Sequence, residues 1–468
     1  MQELFSDKTK FEMWRKIWII LAETQMELEI SDESGKKIIS KKQILEMKKF
    51  ATNINYKVAE KKEKEIRHDI MSHVFAFGNQ CKNAENIIHL GATSCDIVCN
   101  TELWQIKVGL EFVKEKLVEV IRNLTHFAKK YKNVETVAFT HYQVAQSTTF
   151  GKRATLYIQD LIFDLETIEL FEKNFLRARG IKGTTGTQAS FMRLFKGNEN
   201  KVKLLDEIVS KKLGFNSSYS VTGQTYPRKI DTKVLELLAG IGTSSHKFAV
   251  DLRLLSNLQI MEEPFEKTQT GSSAMAYKRN PMRSERMTSL SRELFTKPAN
   301  AYQTAANQWF ERTLDDSAIR RIDIAESFLL ADAILILYSN ITNGLVIYEK
   351  QNQKILQQEI PFLATEEILM RSVERGKSRQ KIHEKIKMFS KLVAKEIKLE
   401  GKENRLFELI ANDTEIPISK TELNEIVKSP KLFIGRASNQ VDEFISKVVN
   451  PKLKKYLHIK NSNENIKV

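Results

Sequence analysis

The chain has 468 residues, of which 18 are glycine and 8 are proline, whereas average proteins contain about 7% and 5% of these residues. So few helix breakers favour long helices and exclude a turn-rich β-sandwich, a collagen-like repeat and a disordered chain. Lysine and arginine number 74, and aspartate and glutamate number 59, which gives a formal net charge of +15. Because no long basic run and no basic block interleaved with aromatic residues is found, we expect this charge on solvated helix surfaces and not at a nucleic-acid site.

Apolar residues recur at helical spacing along much of the chain. One stripe consists of Trp14, Trp18, Leu21 and Leu28, and another of Ile158, Leu161, Leu165 and Ile168. The clearest stripe has the spacing of a heptad seam with one polar position, and it consists of Val234, Leu238, Ile241, Ser245, Phe248, Leu252 and Leu255. Such seams are typical of helices in a bundle. No segment alternates well enough to predict a strand.

Breaks in the helical pattern predict the domain organisation. They fall at 78–83, 180–186, 264–271 and 344, and shorter amphipathic segments follow residue 348. We therefore predict an all-α chain with three helical domains. These are an N-terminal domain at 1–93, a long central helix bundle at 94–347 and a C-terminal domain at 348–468. Within the last of these, the sequence SKTE at 419–422 predicts a capping box at the start of a helix.

The cysteines and the most apolar segment bear on the environment of the chain. Cys95 and Cys99 are one helical turn apart, but neither they nor Cys81 have companions at metal-ligand spacing, so packed thiols are expected. Because the first residues are charged and show no secretory pattern, we expect a reduced, cytoplasmic chain without disulfides. The most apolar stretch, 328–337, contains Asp332 and is too short to span a bilayer, so no membrane association is expected.

The most unusual segment is GSSAMAYKRNPMRSER at 271–286. Two small hydroxyl side chains, those of Ser272 and Ser273, follow a glycine and precede a dense cationic stretch that contains a proline. This composition is typical of a mobile anion-binding loop that closes over a substrate and brings in a hydroxyl. A solvated basic loop explains the composition equally well. The segment predicts a loop at 267–286, and its composition alone leaves both roles open.

Several longer motifs occur in the order found in one enzyme superfamily. They are RHD at 67–69 with His73, HLGATS at 89–94, THYQ at 140–143, KGTTGTQAS at 182–190, TGQT at 222–225, KRNP at 278–281, RSE at 283–285 and QWFERTLDDS at 308–317. With these motifs, nearly the whole chain resembles the fumarase/aspartase superfamily, whose members eliminate fumarate from succinyl-type substrates. The resemblance implies a fumarase/aspartase-like fold, a homotetramer assembled through the central bundle, and active sites that each take segments from three subunits.

Within this superfamily, the motifs at 278–285 are most similar to those of members that act on succinylated purine nucleotides. The resemblance implies a non-hydrolytic β-elimination of fumarate from succinyl-AMP, which gives AMP, and from succinyl-aminoimidazole-carboxamide ribotide in purine biosynthesis. A proton leaves the carbon next to a carboxylate and the C–N bond breaks, so the site requires a base, an acid and fixed cations. The resemblance implies neither a metal nor an organic cofactor.

The resemblance also assigns the groups that transfer protons. It implies that Ser272 is the base, with Ser273 as the alternative, and that His141 is the general acid that protonates the leaving nitrogen. Glu285 is expected to hydrogen-bond His141 and to fix its tautomer, as an acid orients histidine in other sites.

The remaining site residues implied by the resemblance bind the anionic substrate. Lys278 and Asn280 are expected to stabilise charge on the reacting carboxylate. His68 is expected to bind phosphate or to assist the acid, and Ser317 and Arg321 to bind phosphate. The further substrate ligands are Arg67, Asp69, Thr93, Ser94, Gln224, Arg286 and Arg312. The forked donors of arginine match carboxylate and phosphate oxygens.

Five histidines are expected to make ordinary polar contacts. They are His89, His126, His246, His383 and His458.

Two other functions are open alternatives. The chain could be another lyase of the superfamily, such as argininosuccinate lyase, but RSE at 283–285 and the block at 309–317 argue against this. It could also be a catalytically silent structural relative, as found among lens crystallins, but the intact set of proposed catalytic residues argues against that.

Overall fold

The computed structural model describes residues 1–266, 268–428 and 433–460. Helices contain most of these residues, which confirms the predicted all-α class. The first four helices are α1 (Asp7–Glu27), α2 (Lys41–Lys49), α3 (Tyr56–Ile66) and α4 (Asp69–Gln80). The next seven are α5 (Ser94–Lys130), α6 (Phe150–Asn174), α7 (Ala189–Leu194), α8 (Glu199–Lys212), α9 (Lys229–Asn257), α10 (Met282–Ala306) and α11 (Asp316–Asn343). The C-terminal helices are α12 (Glu349–Leu363), α13 (Thr365–Glu374), α14 (Arg379–Glu400), α15 (Leu406–Ala411), α16 (Lys420–Lys428), α17 (Ala437–Phe444) and α18 (Asn450–Leu453).

The long helices bury the apolar stripes that the sequence predicts. All seven residues of the α9 seam are buried, including the polar Ser245. The stripe at 158–168 is buried along α6, and Trp14, Trp18 and Leu21 are buried along α1. Burial of a large apolar side chain contributes about 1.5–3 kcal/mol. These stripes therefore locate the core of the helical architecture.

Short strands also occur, although no segment of the sequence alternates well enough to predict them. β1 (Glu135–Thr140) pairs antiparallel with β2 (Gln143–Thr149), and β3 (Met261–Glu262) pairs antiparallel with β4 (Val346–Ile347). The β1–β2 hairpin lacks the Asn-Gly or Asp-Gly turn that marks most two-residue hairpins. Its pairing also shifts register between Val137 and Phe139, so the alternation in the sequence is interrupted.

The described chain divides into two compact units. The first unit consists of Met1–Lys116, Asp164–Thr243 and Ser289–Leu335. The second unit consists of the described residues of Leu117–Phe163, Ser244–Thr288 and Ile336–Val468. Each boundary falls inside one of the helices α5, α6, α9, α10 and α11. The three predicted domains are a different subdivision and stay a prediction, although α5 begins at Ser94 and α12 at Glu349.

Each unit has its own core. In the first unit, the buried Arg15 of α1 donates hydrogen bonds to the backbone oxygens of Phe50 and Asn53, the latter at 2.8 Å. In the second unit, the rings of Phe248 and Tyr338 stack with centroids 4.5 Å apart. Helices α13 to α16 surround an apolar cluster that includes Ile368, Val393, Leu406, Ile410 and Ile426. These contacts satisfy buried donors and fill the space between helices.

The cysteines and the most apolar helices bear on two further expectations. Cys81, Cys95 and Cys99 are free and buried, as predicted for packed thiols. Of the helices in the described ranges, none combines the length and the apolar character that crossing a membrane requires.

Candidate active site

The predicted loop at 267–286 lies in the second unit and begins after β3, but its last five residues are helical, because α10 already begins at Met282. Both ends of the loop are held by hydrogen bonds. Lys267, with which the prediction begins, lies outside the described residues. The buried carboxylate of Glu263 accepts hydrogen bonds from the backbone N–H groups of Arg283 and Ser284, both at 3.0 Å, and from the Ser284 hydroxyl at 2.9 Å. The guanidinium of Arg283 donates to the Pro264 oxygen at 2.8 Å and to Glu266 at 2.9 Å. Glu263 thus caps the first turn of α10, where a negative charge is favourable.

Inside the loop, two backbone amides converge on the proposed base. The Oγ atom of Ser272 accepts hydrogen bonds from the N–H groups of Ala274 at 3.3 Å and Met275 at 3.1 Å. Gly271 closely approaches the backbone oxygen of Lys278, which an added Cβ would meet at 2.0 Å. Asn280 donates to the Gly271 oxygen at 3.0 Å. In this conformation the Asn280 amide therefore stabilises the loop.

The cationic part of the loop borders a large cavity in the second unit. Lys278 and Arg279 are exposed and line a cavity of about 1290 Å³, together with residues of α9 and α12. Arg279 donates to the Tyr348 hydroxyl at 3.1 Å, and this hydroxyl donates to Glu262 at 2.8 Å. Arg279 is thereby linked through Tyr348 to Glu262 in β3, whereas the side chain of Lys278 is exposed to solvent.

His141, the proposed acid, occupies the two-residue turn of the β1–β2 hairpin. His141 and Tyr142 have φ angles of +53° and +57°, and both side chains are exposed. Positive φ is uncommon for residues other than glycine, and strained residues of this kind are enriched at functional sites. Glu285 lies 3.9 Å from Arg253. Within the described residues of one chain no hydrogen bond joins Glu285 to His141, and their predicted bond stays a prediction.

In the first unit, the RHD motif lies at the junction of α3 and α4. Arg67 ends α3 with φ +53°, and the Nδ1 atom of His68 accepts the N–H of Met71 at 3.4 Å, which makes His68 the N-cap of α4. Asp69 lies 3.5 Å from Arg321. Arg321 therefore lies next to the RHD motif, and the role of these residues as substrate ligands stays a prediction.

A second cluster in the first unit joins three segments that are distant in the sequence. Gln224 donates its side-chain amide to the Thr93 hydroxyl at 3.4 Å and its backbone N–H to the Glu311 oxygen at 2.9 Å. The N–H of Thr93 is bound by the fully buried Asp96 at 2.8 Å. Ser94 begins α5 next to Thr93, and Arg312 follows Glu311. These hydrogen bonds hold the polar side chains of the three segments close together.

His89 confirms the expectation of an ordinary polar contact. Trp18 donates its indole N–H to the Nδ1 atom of His89 at 3.0 Å. Burial lowers the pKa of His89 to about 4, with a smaller contribution from His68. His89 is therefore neutral near pH 7, and its ring packs edge-on against Trp18.

The predicted site residues form two sets, one in each unit. The first unit contains Arg67, His68, Asp69, Thr93, Ser94, Gln224, Arg312, Ser317 and Arg321. The second unit contains His141, Ser272, Ser273, Lys278, Asn280, Glu285 and Arg286. Sequence reasoning missed Glu263, Tyr348 and Asp316, because acids and tyrosines near helix ends are common. Their burial and their partners distinguish them, and the only available signal was that Asp316 lies in the motif at 308–317.

In the parts of the chain that the structure describes, no group of three or more histidine, cysteine or acidic side chains is arranged to hold a metal ion. The expectation that the reaction needs no metal or organic cofactor stays a prediction.

Comparison with known proteins assigns the chain to a family. Residues 10–295 match the family model described as "Lyase", and residues 361–444 match "Adenylosuccinate lyase C-terminus". A relative from Saccharomyces cerevisiae named adenylosuccinate lyase is 47% identical over 98% of this chain and 94% of its own length. The chain belongs to the adenylosuccinate lyase family. Relatives with the same name from Schizosaccharomyces pombe and Schistosoma mansoni are 44% and 45% identical, over 97% and 99% of this chain and 93% and 95% of theirs.

Solved structures support the fold of this adenylosuccinate lyase family member. A fumarate lyase from Mesorhizobium sp. BNC1 has a TM-score of 0.81 at 19% identity, over 96% of this chain and 97% of its own. A 3-carboxy-cis,cis-muconate lactonizing enzyme from Pseudomonas putida has a TM-score of 0.82 at 18% identity, over 95% and 96%. At this identity the likeness concerns the fold alone, and it confirms the fumarase/aspartase-like architecture.

Proposed function

We propose that this chain catalyses the β-elimination of fumarate from succinyl-AMP, which gives AMP, and from succinyl-aminoimidazole-carboxamide ribotide in purine biosynthesis. The observation that carries the proposal is the 47% identity, over nearly the full length, to a relative named adenylosuccinate lyase. The groups that the reaction needs are all present in this chain: a hydroxyl, an imidazole, and cations that match an anionic substrate.

The proposed base is the hydroxyl of Ser272. A serine hydroxyl is a weak base unless its oxygen is stabilised as the negatively charged form. Two backbone N–H groups already point at this oxygen, and hydrogen bonds to the charged form favour it. In its negatively charged form, the Ser272 oxygen would take the proton from the carbon next to the substrate carboxylate and become a neutral hydroxyl. Ser273, which is exposed beside it, is the alternative base.

Charge then builds up on the substrate carboxylate. Lys278 is exposed at the cavity of the second unit and presents an ammonium group to an entering anion. Asn280 would donate to the same carboxylate only after releasing the Gly271 oxygen that it binds here. Fixed donors of this kind lower the free energy of the charged transition state. We therefore assign the larger part of this stabilisation to Lys278.

The leaving nitrogen receives its proton from His141. As the C–N bond breaks, its electron pair stays on the purine amine, and the proton from the imidazole neutralises it. His141 is exposed at the tip of a hairpin, which allows its ring to enter a substrate cleft. Glu285 would orient the ring, and Arg286 and the ligands of the first unit would bind the substrate anions.

We further propose a homotetramer in which each site combines segments of three subunits. One face of α6 carries Leu156, Phe163 and Leu170 at heptad spacing, and each of these side chains is about half exposed. Exposed heptad seams are typical of helices that pack against further chains. The free, buried cysteines are consistent with a reducing compartment, and we propose that the enzyme acts in the cytoplasm.

The test is to follow the ultraviolet absorbance of succinyl-AMP with the purified protein, with and without a chelator. We expect conversion to AMP and fumarate at the same rate in both samples. Release of fumarate from argininosuccinate but not from succinyl-AMP would contradict the proposed substrate. Loss of activity in the chelator would contradict the prediction that no metal is needed.

A further inference from the structure

A fully buried carboxylate, that of Asp316, lies at the start of α11 in the first unit. Its Oδ2 atom accepts a hydrogen bond from Nε of Arg228 at 2.6 Å, and its Oδ1 atom accepts one from Nη1 of Arg312 at 2.7 Å. The Arg228 side chain is 3% exposed, whereas that of Arg312 is 23% exposed. Asp316 therefore connects a buried arginine to one that reaches the surface, through charge-assisted hydrogen bonds.

This pair belongs to a larger buried network. Glu102 lies 4.0 Å from Arg228 and accepts two hydrogen bonds from Arg320, at 3.0 and 3.1 Å. Arg320 also donates to Asp231 at 2.6 Å. With Arg312 and Asp316, the network contains three arginines and three carboxylates, so its formal charges cancel. This balance matters because an unpaired buried charge is strongly destabilising.

The buried anchors alternate along the chain with predicted substrate ligands. Asp316 and Arg320 are one helical turn apart, and both are buried. Ser317 and Arg321 each come directly after one of them, and the Arg321 side chain is 67% exposed and 3.5 Å from Asp69. Successive residues of a helix are rotated by about 100°. The face that is held in the core therefore sets the direction of the face that carries the ligands.

We infer that Asp316 and Arg228 are positioning residues that orient Arg312, and with it Ser317 and Arg321, as one surface for the phosphate monoester of the substrate. Asp316 occupies one side of the Arg312 guanidinium and leaves its remaining donors for the phosphate oxygens. The inference rests on the proposed function, and it assigns to two buried residues a role in substrate selection.

The test compares binding of AMP and of adenosine, which lacks the phosphate, to Asp316→Asn and to the unaltered enzyme by calorimetry. The asparagine keeps the shape of the side chain but removes its charge. We expect the affinity for AMP to fall at least about tenfold and the affinity for adenosine to change little. In turnover of succinyl-AMP, KM should rise more than kcat falls. An equal loss for AMP and adenosine, or no loss for AMP, would overturn the inference.

The matched control is Asp323→Asn, which removes a buried carboxylate from the same helix. Asp323 is 4% exposed and lies 3.6 Å from the buried Lys297. This variant should bind AMP as the unaltered enzyme does. If it loses AMP affinity as Asp316→Asn does, the effect is a general one of buried charge in α11 and the inference fails.

Two further variants keep the inference testable. If Asp316→Asn does not fold, the double variant Arg228→Met with Asp316→Asn removes both buried charges together and should show the same selective loss for AMP. In addition, the loss of AMP affinity in the double variant Arg312→Gln with Asp316→Asn should be smaller than the sum of the two single losses, because part of the effect of Asp316 acts through Arg312. Additive losses would contradict this. A failure of the unaltered enzyme to act on succinyl-AMP would instead refute the proposed function.

Discussion

The predicted site residues are held differently in the two units. In the first unit, the predicted substrate ligands contact buried or helix-bound partners: Arg312 binds Asp316, and Thr93 binds both Gln224 and the N-terminus of α5 through Asp96. In the second unit, the proposed base and acid lie on an exposed loop and an exposed turn, and the buried Glu263 holds the end of the loop at α10.

This difference matches the chemical tasks of the two sets. Binding an anion requires donors that are already oriented, because orientation after binding would cost entropy. A base that must reach a substrate after it has entered requires a segment with few internal restraints. We therefore expect substitutions in the first unit to affect affinity and stability, and substitutions in the exposed segments of the second unit to affect turnover.

The largest expected effect concerns the proposed proton-transfer groups of the second unit. Ser272→Ala and His141→Ala should each lower turnover of succinyl-AMP at least about 100-fold, as is typical of acid–base groups. Both residues are surface-accessible, so circular dichroism should show intact folding. The matched controls are Thr270→Ala on the same loop and His126→Ala, an exposed histidine in the same unit. Near-normal rates in both catalytic variants would discredit these assignments.

The next effect concerns the buried histidines of the first unit. Burial lowers the pKa of His73 to about 4, with contributions from Arg15 and Lys10, and burial also lowers that of His89 to about 4. In the unfolded chain these two histidines take up protons near pH 6.5, whereas in the folded chain they stay neutral until about pH 4. The free energy of unfolding should therefore be highest with respect to these histidines above pH 6.5. It should decrease toward pH 4 by up to about 1.4 kcal/mol per pH unit for each histidine.

Urea unfolding at pH 7.5, 6 and 5 measures this dependence. His73 stacks on Phe11 with ring centroids 3.9 Å apart, so His73→Phe keeps the aromatic contact and removes one titrating group. We expect a weaker pH dependence in this variant than in the unaltered protein. If the free energy of unfolding of this variant changes with pH as steeply as that of the unaltered protein, His73 does not couple folding to proton uptake.

The smallest effect tests the attachment of the loop ends. Glu263→Gln should lower the free energy of unfolding by about 1–3 kcal/mol, because buried donors of α10 lose a charged acceptor. The control is Glu266→Gln, whose carboxylate is largely exposed in its pair with Arg283 and should matter by less than about 1 kcal/mol. Equal effects in a urea titration would argue against Glu263 as the anchor of the loop.

Part of the site was predictable because its signals are local in the sequence. The loop at 271–286 and the motifs at 67–69 and 308–317 identify the substrate-binding and catalytic candidates by residue type and order. The capping box at 419–422 is also confirmed, since Ser419 and Glu422 exchange hydrogen bonds at 2.9 and 3.2 Å. Caps depend on residues three positions apart, so the sequence contains all that determines them.

The sequence by itself determined the all-α class, through helical periodicity and few breakers, and it determined which side chains are available for chemistry. Only the tertiary structure decided that His141 lies on a hairpin turn, because that turn uses residues without the usual propensity for it. Only the tertiary structure likewise decided that Asp316 is buried against Arg228, 88 residues away. Helix formation depends on neighbours within a turn or two, whereas the burial and pairing of a charge depend on segments that meet only when the chain has folded.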